Sequence, residues 1–223
     1  MTKYWLDTEF IEDGKTIDLI SIGIAAEDGR EYYAINSWCD FSKASDWVKE
    51  NVISKLPDSF VNPQTASPSE IEGMLYWKDK PTIMREVAEF FGCFGNPEPI
   101  IDNRLYPRFM RWLGFSSTGV KLKYQWQCLE KPEIWAYYAD YDWVVFCQLF
   151  GTMMDLPKGF PMYCRDIKQE CDRLGNPKLP EQGKGEHNAL DDARWNKQAY
   201  EFLKRLEQSL KGQSDRDQLY KLY

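Results

Sequence analysis

The chain has 223 residues, 43% of them hydrophobic, which suffices for one large domain with a full core. No run approaches the roughly 18 consecutive apolar residues of a membrane span, and the first residues lack a secretory pattern, so we expect a cytoplasmic protein without membrane contact. The net charge of −7 argues against a protein that coats nucleic acid without specificity, because such proteins are normally basic.

Three strands open the predicted fold. The predicted strands cover residues 3–10, 17–26 and 31–35, and the second is rich in β-branched side chains. Asp28–Gly29 lies between the second and third strands, where this dipeptide is a strong hairpin signal. The sequence therefore predicts an antiparallel three-stranded meander.

Helices and short strands alternate in the rest of the chain. The predicted helices cover residues 45–52, 81–91, 142–150, 167–174 and 188–211, and the predicted strands cover residues 133–139 and 162–164. A meander followed by alternation indicates an α/β fold, with a mixed five-stranded sheet flanked by helices. Residues 1–211 then form one domain, and residues 212–223 form a polar tail.

The last helix carries a stripe of apolar residues at helical spacing. We expect this stripe to be buried against the sheet. Its members are Ala199, Phe202, Leu203, Leu206 and Leu210.

Residues 94–131 fit neither periodicity and are predicted to be an insertion. Cations alternate with aromatic rings there, as in proteins that bind single-stranded nucleic acid. The alternative is that the rings pack on the core or on the second subunit of a homodimer, and the sequence leaves both open. The cations and rings are Arg104, Arg108, Arg111, Lys121, Lys123, Lys131, Tyr106, Phe109, Trp112, Phe115, Tyr124 and Trp126.

Six cysteines are scattered along the chain without a C-x-x-C pair. Together with a single histidine, this spacing favours reduced, mostly buried thiols over a zinc site or a disulfide framework. They are Cys39, Cys93, Cys128, Cys147, Cys164 and Cys171.

Asp7 and Glu9 are separated by one residue on the first predicted strand. Because side chains alternate along a strand, both carboxylates point to one face and Thr8 points to the other. Two adjacent carboxylates repel each other unless a cation lies between them. On its own the pattern is also typical of a solvated strand end.

Asp142 stands where a predicted strand meets a predicted apolar helix. Aspartate at this position can cap the helix, which is the structural alternative to a role at a site. Asp140 is the competing carboxylate, but it lies in the turn. We therefore favour Asp142.

His187 is the only histidine, and Asp192 follows it by five residues at the start of the last helix. Asp192 falls on the same stripe as Ala199, so its carboxylate faces the sheet, whereas that of the neighbouring Asp191 does not. A buried carboxylate needs a partner, and a metal ion is one. A lone histidine without this context is more often a surface residue with no role.

Together these motifs resemble the DEDDh 3′–5′ exonucleases of the ribonuclease H-like superfamily. Asp7–Thr8–Glu9 matches the first motif of that family, Asp142 the second, and His187 with Asp192 the third. More closely, the chain is similar to the small bacterial exoribonucleases described from mycobacteria. Ala139 departs from the pattern, because many relatives have asparagine three residues ahead of the second-motif aspartate.

The resemblance implies a ribonuclease H-like fold and a two-metal hydrolysis of RNA from its 3′ end, with release of 5′-mononucleotides. Two Mg²⁺ or Mn²⁺ ions would be held by the four carboxylates of the motifs, and His187 would take a proton from the attacking water. Thr8 and Phe10 would help to seat the terminal nucleotide. The metal ligands would be Asp7, Glu9, Asp142 and Asp192.

Two other functions use the same residues or the same fold. A 3′–5′ DNA exonuclease of the proofreading type would need the same five side chains. A nucleic-acid-binding module could keep the fold without activity, although such loss normally removes at least one catalytic residue. RNA is favoured over DNA by the resemblance alone.

Overall fold

A computed structural model describes residues 1–62, 64–102, 119–183 and 185–220, with the backbone alone described at 96–102, 119–124 and 213–220. The strands are β1 Lys3–Glu12, β2 Ile17–Ala26, β3 Glu31–Asn36, β4 Trp77–Lys78, β5 Cys93–Asp102, β6 Gly119–Cys128, β7 Glu133–Ala136 and β8 Arg165–Asp166. The helices are α1 Asp46–Asn51, α2 Pro68–Leu75, α3 Lys80–Phe90, α4 Asp140–Phe150, α5 Ile167–Arg173 and α6 Ala189–Tyr220.

The main sheet has six strands in the order β4-β3-β2-β1-β7-β8. β1, β2 and β3 pair antiparallel, whereas β7 pairs parallel with β1 and β8 pairs parallel with β7. The predicted mixed sheet is confirmed, with one strand more than expected, because the two-residue β4 adds to the β3 edge. The fold is consistent with the ribonuclease H-like class.

Apolar side chains fill both faces of the central strands. On one face Leu6 and Ile22 pack with Phe146 of α4 and Ile83 of α3. On the other face Trp5 packs against α5 and α6. β1 is therefore covered on both sides, and a polar group on it must find a partner in a helix.

Several predicted boundaries differ from the structure. The last strand is β8, three residues beyond the predicted 162–164, because only Arg165 and Asp166 reach the β7 edge. α6 continues to Tyr220, past the predicted end at 211. Ala199 and Leu203 are buried as expected, but Leu210 is exposed, since the helix has passed the sheet by then.

β5 and β6 form a separate two-stranded antiparallel sheet within the predicted insertion. Trp126, at its base, is buried in the core, as the packing alternative expects. Seven of the predicted cations and rings lie outside the described residues: Arg104, Tyr106, Arg108, Phe109, Arg111, Trp112 and Phe115.

The prediction of reduced thiols is wrong for Cys93 and Cys128. These residues face each other in the β5–β6 register and form a disulfide. The two cysteines are 35 residues apart in the sequence, so their spacing does not predict the pairing. The register of the β5–β6 hairpin brings them together. Cys39, Cys147 and Cys171 are buried free thiols.

None of the helices in the described ranges combines the length and the apolar character needed to cross a membrane.

Candidate active site

β1, β7 and β8 run parallel, so their carboxyl ends meet at one edge of the sheet. Asp7 and Glu9 lie near the middle of β1, just beyond Trp5, the last β1 residue that pairs with β7. Asp142 follows β7 in the first turn of α4. The topology thus brings the first and second motifs together from positions 133 residues apart in the chain.

Asp7 and Glu9 lie on the face of β1 that α6 covers. Asp7 accepts a hydrogen bond from the side chain of Asn196, and Glu9 lies beside Asp192. A β-bulge between Glu9 and Phe10 interrupts the regular pairing with β2 directly after the two carboxylates.

The start of α6 approaches the sheet closely because position 23 has no side chain. Gly23 is the β2 partner of Asp7, and a Cβ atom there would lie 2.1 Å from the carbonyl oxygen of Ala189. Asn188 caps the helix, accepting hydrogen bonds from the N–H groups of Leu190 and Asp191. The close approach places the first turn of α6 beside Asp7.

Asp142 is bound to the backbone of β1 between the two carboxylates. Its Oδ1 atom accepts hydrogen bonds from the Thr8 N–H at 2.8 Å and from the Thr8 hydroxyl at 2.6 Å. The Asp142 side chain is buried, whereas the Asp140 side chain, two residues earlier in the chain, is exposed. Asp142 therefore joins the site and does not serve as a simple helix cap.

His187 and Asp192 are joined by the backbone. The His187 N–H donates to Oδ2 of Asp192 at 2.9 Å, and Gln182 donates to Oδ1 of the same carboxylate. Asp192 is buried, whereas Asp191 is directed to the surface, where it forms an ion pair with Arg194 at 2.7 Å.

Burial raises the pKa of Asp7 far above its ordinary range, and the charges of Asp142, Asp192 and Glu9 act in the same direction. Burial also raises the pKa of Glu9 to about 8, with Asp192 and Asp142 adding to the effect and Lys55 opposing it. The carboxylates are therefore crowded where solvent would screen their charges poorly, and burial and mutual repulsion favour their protonated forms.

Burial raises the pKa of Asp142 to about 6 and that of Asp192 to about 6. Hydrogen bonds from Thr8 oppose the first shift, and those from the His187 N–H and Gln182 oppose the second. Both carboxylates are held in place by donors that favour their charged form.

The donor set fits hard divalent cations. Glu9, His187 and Asp192 each offer a ligand atom, and these atoms lie within 4.8 Å of one another. Asp7 and Asp142 lie near enough for their charges to interact with this group, so they add carboxylate oxygens to the same region. Oxygen-rich sites suit Mg²⁺ and Mn²⁺, and a bound cation removes the repulsion that raises these pKa values.

Thr8 and Phe10 occupy different surroundings. Thr8 is buried, and both its donors are taken by Asp142. The Phe10 ring is half-buried and stacks on Tyr141, with ring centroids 5.6 Å apart and planes 10° apart. Phe10 therefore packs next to Tyr141, the residue before Asp142, whereas Thr8 holds the Asp142 carboxylate directly.

Sequence reasoning missed two residues that hold the site together. Asn196 is buried and donates to the Leu6 carbonyl at 2.9 Å as well as to Asp7, which fastens α6 to β1. Its place one turn after Asp192 on the buried stripe was a usable signal. Gln182 lies in an irregular loop, where periodicity carries no information.

Comparisons with known proteins agree with the geometry. A family model described as the 3′–5′ exoribonuclease Rv2179c-like domain matches residues 2–203. Two relatives from Mycobacterium tuberculosis are the 3′–5′ exoribonuclease MT2234.1 of strain CDC 1551 / Oshkosh and the 3′–5′ exoribonuclease Rv2179c of strain ATCC 25618 / H37Rv. Each is 33% identical over 192 residues, which cover 86% of this chain and 87% of the relative. Because the family match spans β1 through the first half of α6, the chain belongs to the Rv2179c-like 3′–5′ exoribonuclease domain family.

Proposed function

We propose that this protein is a DEDDh-type, metal-dependent 3′–5′ exoribonuclease that releases 5′-mononucleotides from single strands or 3′ overhangs. The main support for this proposal is that five side chains converge at the carboxyl ends of the parallel strands: Asp7, Glu9, Asp142, His187 and Asp192. RNA is the proposed substrate because both relatives are named exoribonucleases.

The four carboxylates would hold two Mg²⁺ or Mn²⁺ ions. When bound, such cations neutralise charge on the phosphate that is cleaved and promote deprotonation of the attacking water. Asp142 is kept in place by Thr8, and Asp192 by the His187 N–H and by Gln182. The chain thus supplies prearranged oxygen ligands.

His187 acts as the general base. An imidazole nitrogen takes one proton from water while the water oxygen forms a bond to the terminal phosphorus. The bond from phosphorus to the 3′ oxygen of the preceding nucleotide breaks, and that oxygen takes up a proton. The products are a 5′-mononucleotide and a strand shortened by one residue.

Phe10 is the proposed contact for the terminal nucleotide. Its half-buried ring is backed by Tyr141, the residue before Asp142, so a base that stacks on it would lie near the second motif. Thr8 contributes through Asp142.

A labelled-substrate assay tests the proposal. Single-stranded RNA, single-stranded DNA and a duplex with a 3′ overhang, each labelled at the 5′ end, are incubated with Mg²⁺, Mn²⁺ or a chelator. We expect a ladder of RNA products that disappears in chelator and in Asp7→Ala but persists in Asp140→Ala. Faster DNA degradation would indicate a proofreading-type DNA exonuclease, and binding without cleavage would indicate a silent binding module.

A second copy of the chain is the other proposed partner. Sedimentation velocity over a range of protein concentrations tests this proposal. We expect a species of twice the monomer mass, and a single species at the monomer mass at all concentrations would contradict it.

A further inference from the structure

The loop that carries His187 is held at two points of its backbone. The His187 N–H donates to Asp192, and the carbonyl oxygen of Glu186 accepts a hydrogen bond from Nζ of Lys55 at 2.9 Å. His187 itself has φ +67°, in the left-handed region that non-glycine residues rarely adopt. The backbone therefore needs these contacts to stay in place.

The imidazole ring is held by an aromatic neighbour. The Trp47 indole meets it edge to face, with ring centroids 5.0 Å apart and planes at 79°. Trp47 lies in α1 and is 55% exposed, so its ring contributes little to the core. An indole in this position restricts the rotation of the imidazole.

Trp47 and Lys55 belong to one short segment, residues 46–55, which comprises α1 and the 3₁₀ turn Ile53–Lys55. Val52 anchors the segment, because it is fully buried in a cluster with Ile11 and Ile20 of the sheet. The segment is thus fixed to the sheet on one side and presents an indole and an ammonium group to the His187 loop on the other.

We propose that residues 46–55 form a clamp that positions His187, with Trp47 holding the imidazole ring and Lys55 holding the Glu186 carbonyl. Both are positioning residues for the general base, and this role rests on the proposed function. Without Trp47 the imidazole samples other rotamers, and the turnover falls although substrate still binds.

The single histidine gives a direct test. In protein labelled at histidine, the imidazole yields one set of ring signals in the NMR spectrum, and the Trp47 ring current displaces them. Trp47→Leu should move these signals and lower kcat about 10-fold to 100-fold while KM changes less than about twofold. Trp47→Phe, which keeps an aromatic ring, should restore most of kcat, and Lys55→Met should also lower kcat.

Trp38→Leu is the matched control, because Trp38 is 63% exposed and lies outside the clamp. It should leave the imidazole signals and the kinetics unchanged. Unmoved imidazole signals in Trp47→Leu would refute the clamp, as would a rise in KM at constant kcat, which would make Trp47 a substrate-stacking residue.

The spectroscopic result does not depend on activity. If the wild-type protein proved inactive, displaced signals in Trp47→Leu would still support the clamp, and only the proposed function would fail.

Discussion

The Oδ1 atom of Asp142 accepts two hydrogen bonds from Thr8, one from its N–H and one from its hydroxyl. Thr8 lies between Asp7 and Glu9, so a residue that points away from their face still controls the site. The contact joins α4 to the central strand and fixes the second motif relative to the first.

Replacing Thr8 by valine should impair both activity and stability. The methyl group fills the same space but leaves a buried carboxylate oxygen with one donor fewer, which costs about 1–3 kcal/mol in the free energy of unfolding. We expect exonuclease turnover to fall about 10-fold or more, because Asp142 is no longer held. Urea unfolding and single-turnover assays measure the two effects.

Thr8→Ser keeps the hydroxyl and should restore most of the turnover. Thr65→Val serves as a surface control, since Thr65 lies in an exposed loop. A Thr8→Val variant as stable and as active as wild type would contradict the role of the hydrogen bonds.

Adjacent carboxylates provide matched pairs. Asp142→Asn and Asp192→Asn should reduce activity about 100-fold or more, because each would remove a charged oxygen from the proposed metal ligands. Asp140→Asn and Asp191→Asn should stay within about threefold of wild type, because both side chains are directed to solvent. The assignment would be contradicted if Asp140→Asn lost as much activity as Asp142→Asn. It would also be contradicted if Asp191→Asn lost as much as Asp192→Asn.

His187→Ala should separate turnover from metal binding. Loss of the proposed general base should lower turnover about 100-fold to 10,000-fold. The affinity for Mn²⁺, measured by titration calorimetry, should change less than about threefold, since the four carboxylates remain. A large loss of affinity would make His187 a metal ligand, a role that its closeness to Glu9 and Asp192 also permits.

The stability of the metal-free protein should fall as the pH rises from 5 to 8. Glu9 has a folded-state pKa of about 8 and Asp192 one of about 6, both above the roughly 4 expected when unfolded. Between these values the folded state keeps protons that the unfolded state has released. The contribution of Glu9 and Asp192 to the free energy of unfolding is therefore complete below about pH 4 and is lost as the pH rises through the folded-state pKa of each residue.

Thermal unfolding with and without Mg²⁺ measures this effect. Tm should fall with pH in chelator, and the cation should raise Tm most at pH 8. Glu9→Gln should make Tm depend less on pH. In a chain of this size, each 1 kcal/mol in the free energy of unfolding changes Tm by about 2–4 °C. Glu207, whose pKa is lowered to about 2 by Arg173 and other cations, is ionised in both states above pH 5 and adds no slope there. A Tm that rises with pH in chelator would contradict the prediction.

Gly23→Ala should displace α6 from the sheet. The new Cβ would lie 2.1 Å from a backbone oxygen, which cannot move as a flexible side chain can. We expect a loss of about 1–3 kcal/mol in the free energy of unfolding and a larger proportional loss of activity, because Asp192 moves with the helix. Gly212→Ala is the control, because no atom of the described residues lies within 4 Å of the new Cβ. Wild-type activity in Gly23→Ala would show that the close approach is not needed.

The sequence by itself determined the meander, most helices, and the choice of Asp142 and Asp192 over their neighbours. These features depend on short-range periodicity, which the chain displays directly: alternation on β1 puts Asp7 and Glu9 on one face, and the helical stripe of α6 turns Asp192 inward.

Only the tertiary structure decided how those residues are held. The partnership of Thr8 with Asp142, the closeness of Trp47 to His187 and the pairing of Cys93 with Cys128 join positions 134, 140 and 35 residues apart. Such contacts depend on strand order, register and the close approach that Gly23 permits, and no local pattern encodes them. Local periodicity selects the chemical groups, whereas the packing of the helices on the sheet sets their distances, and those distances determine the chemistry.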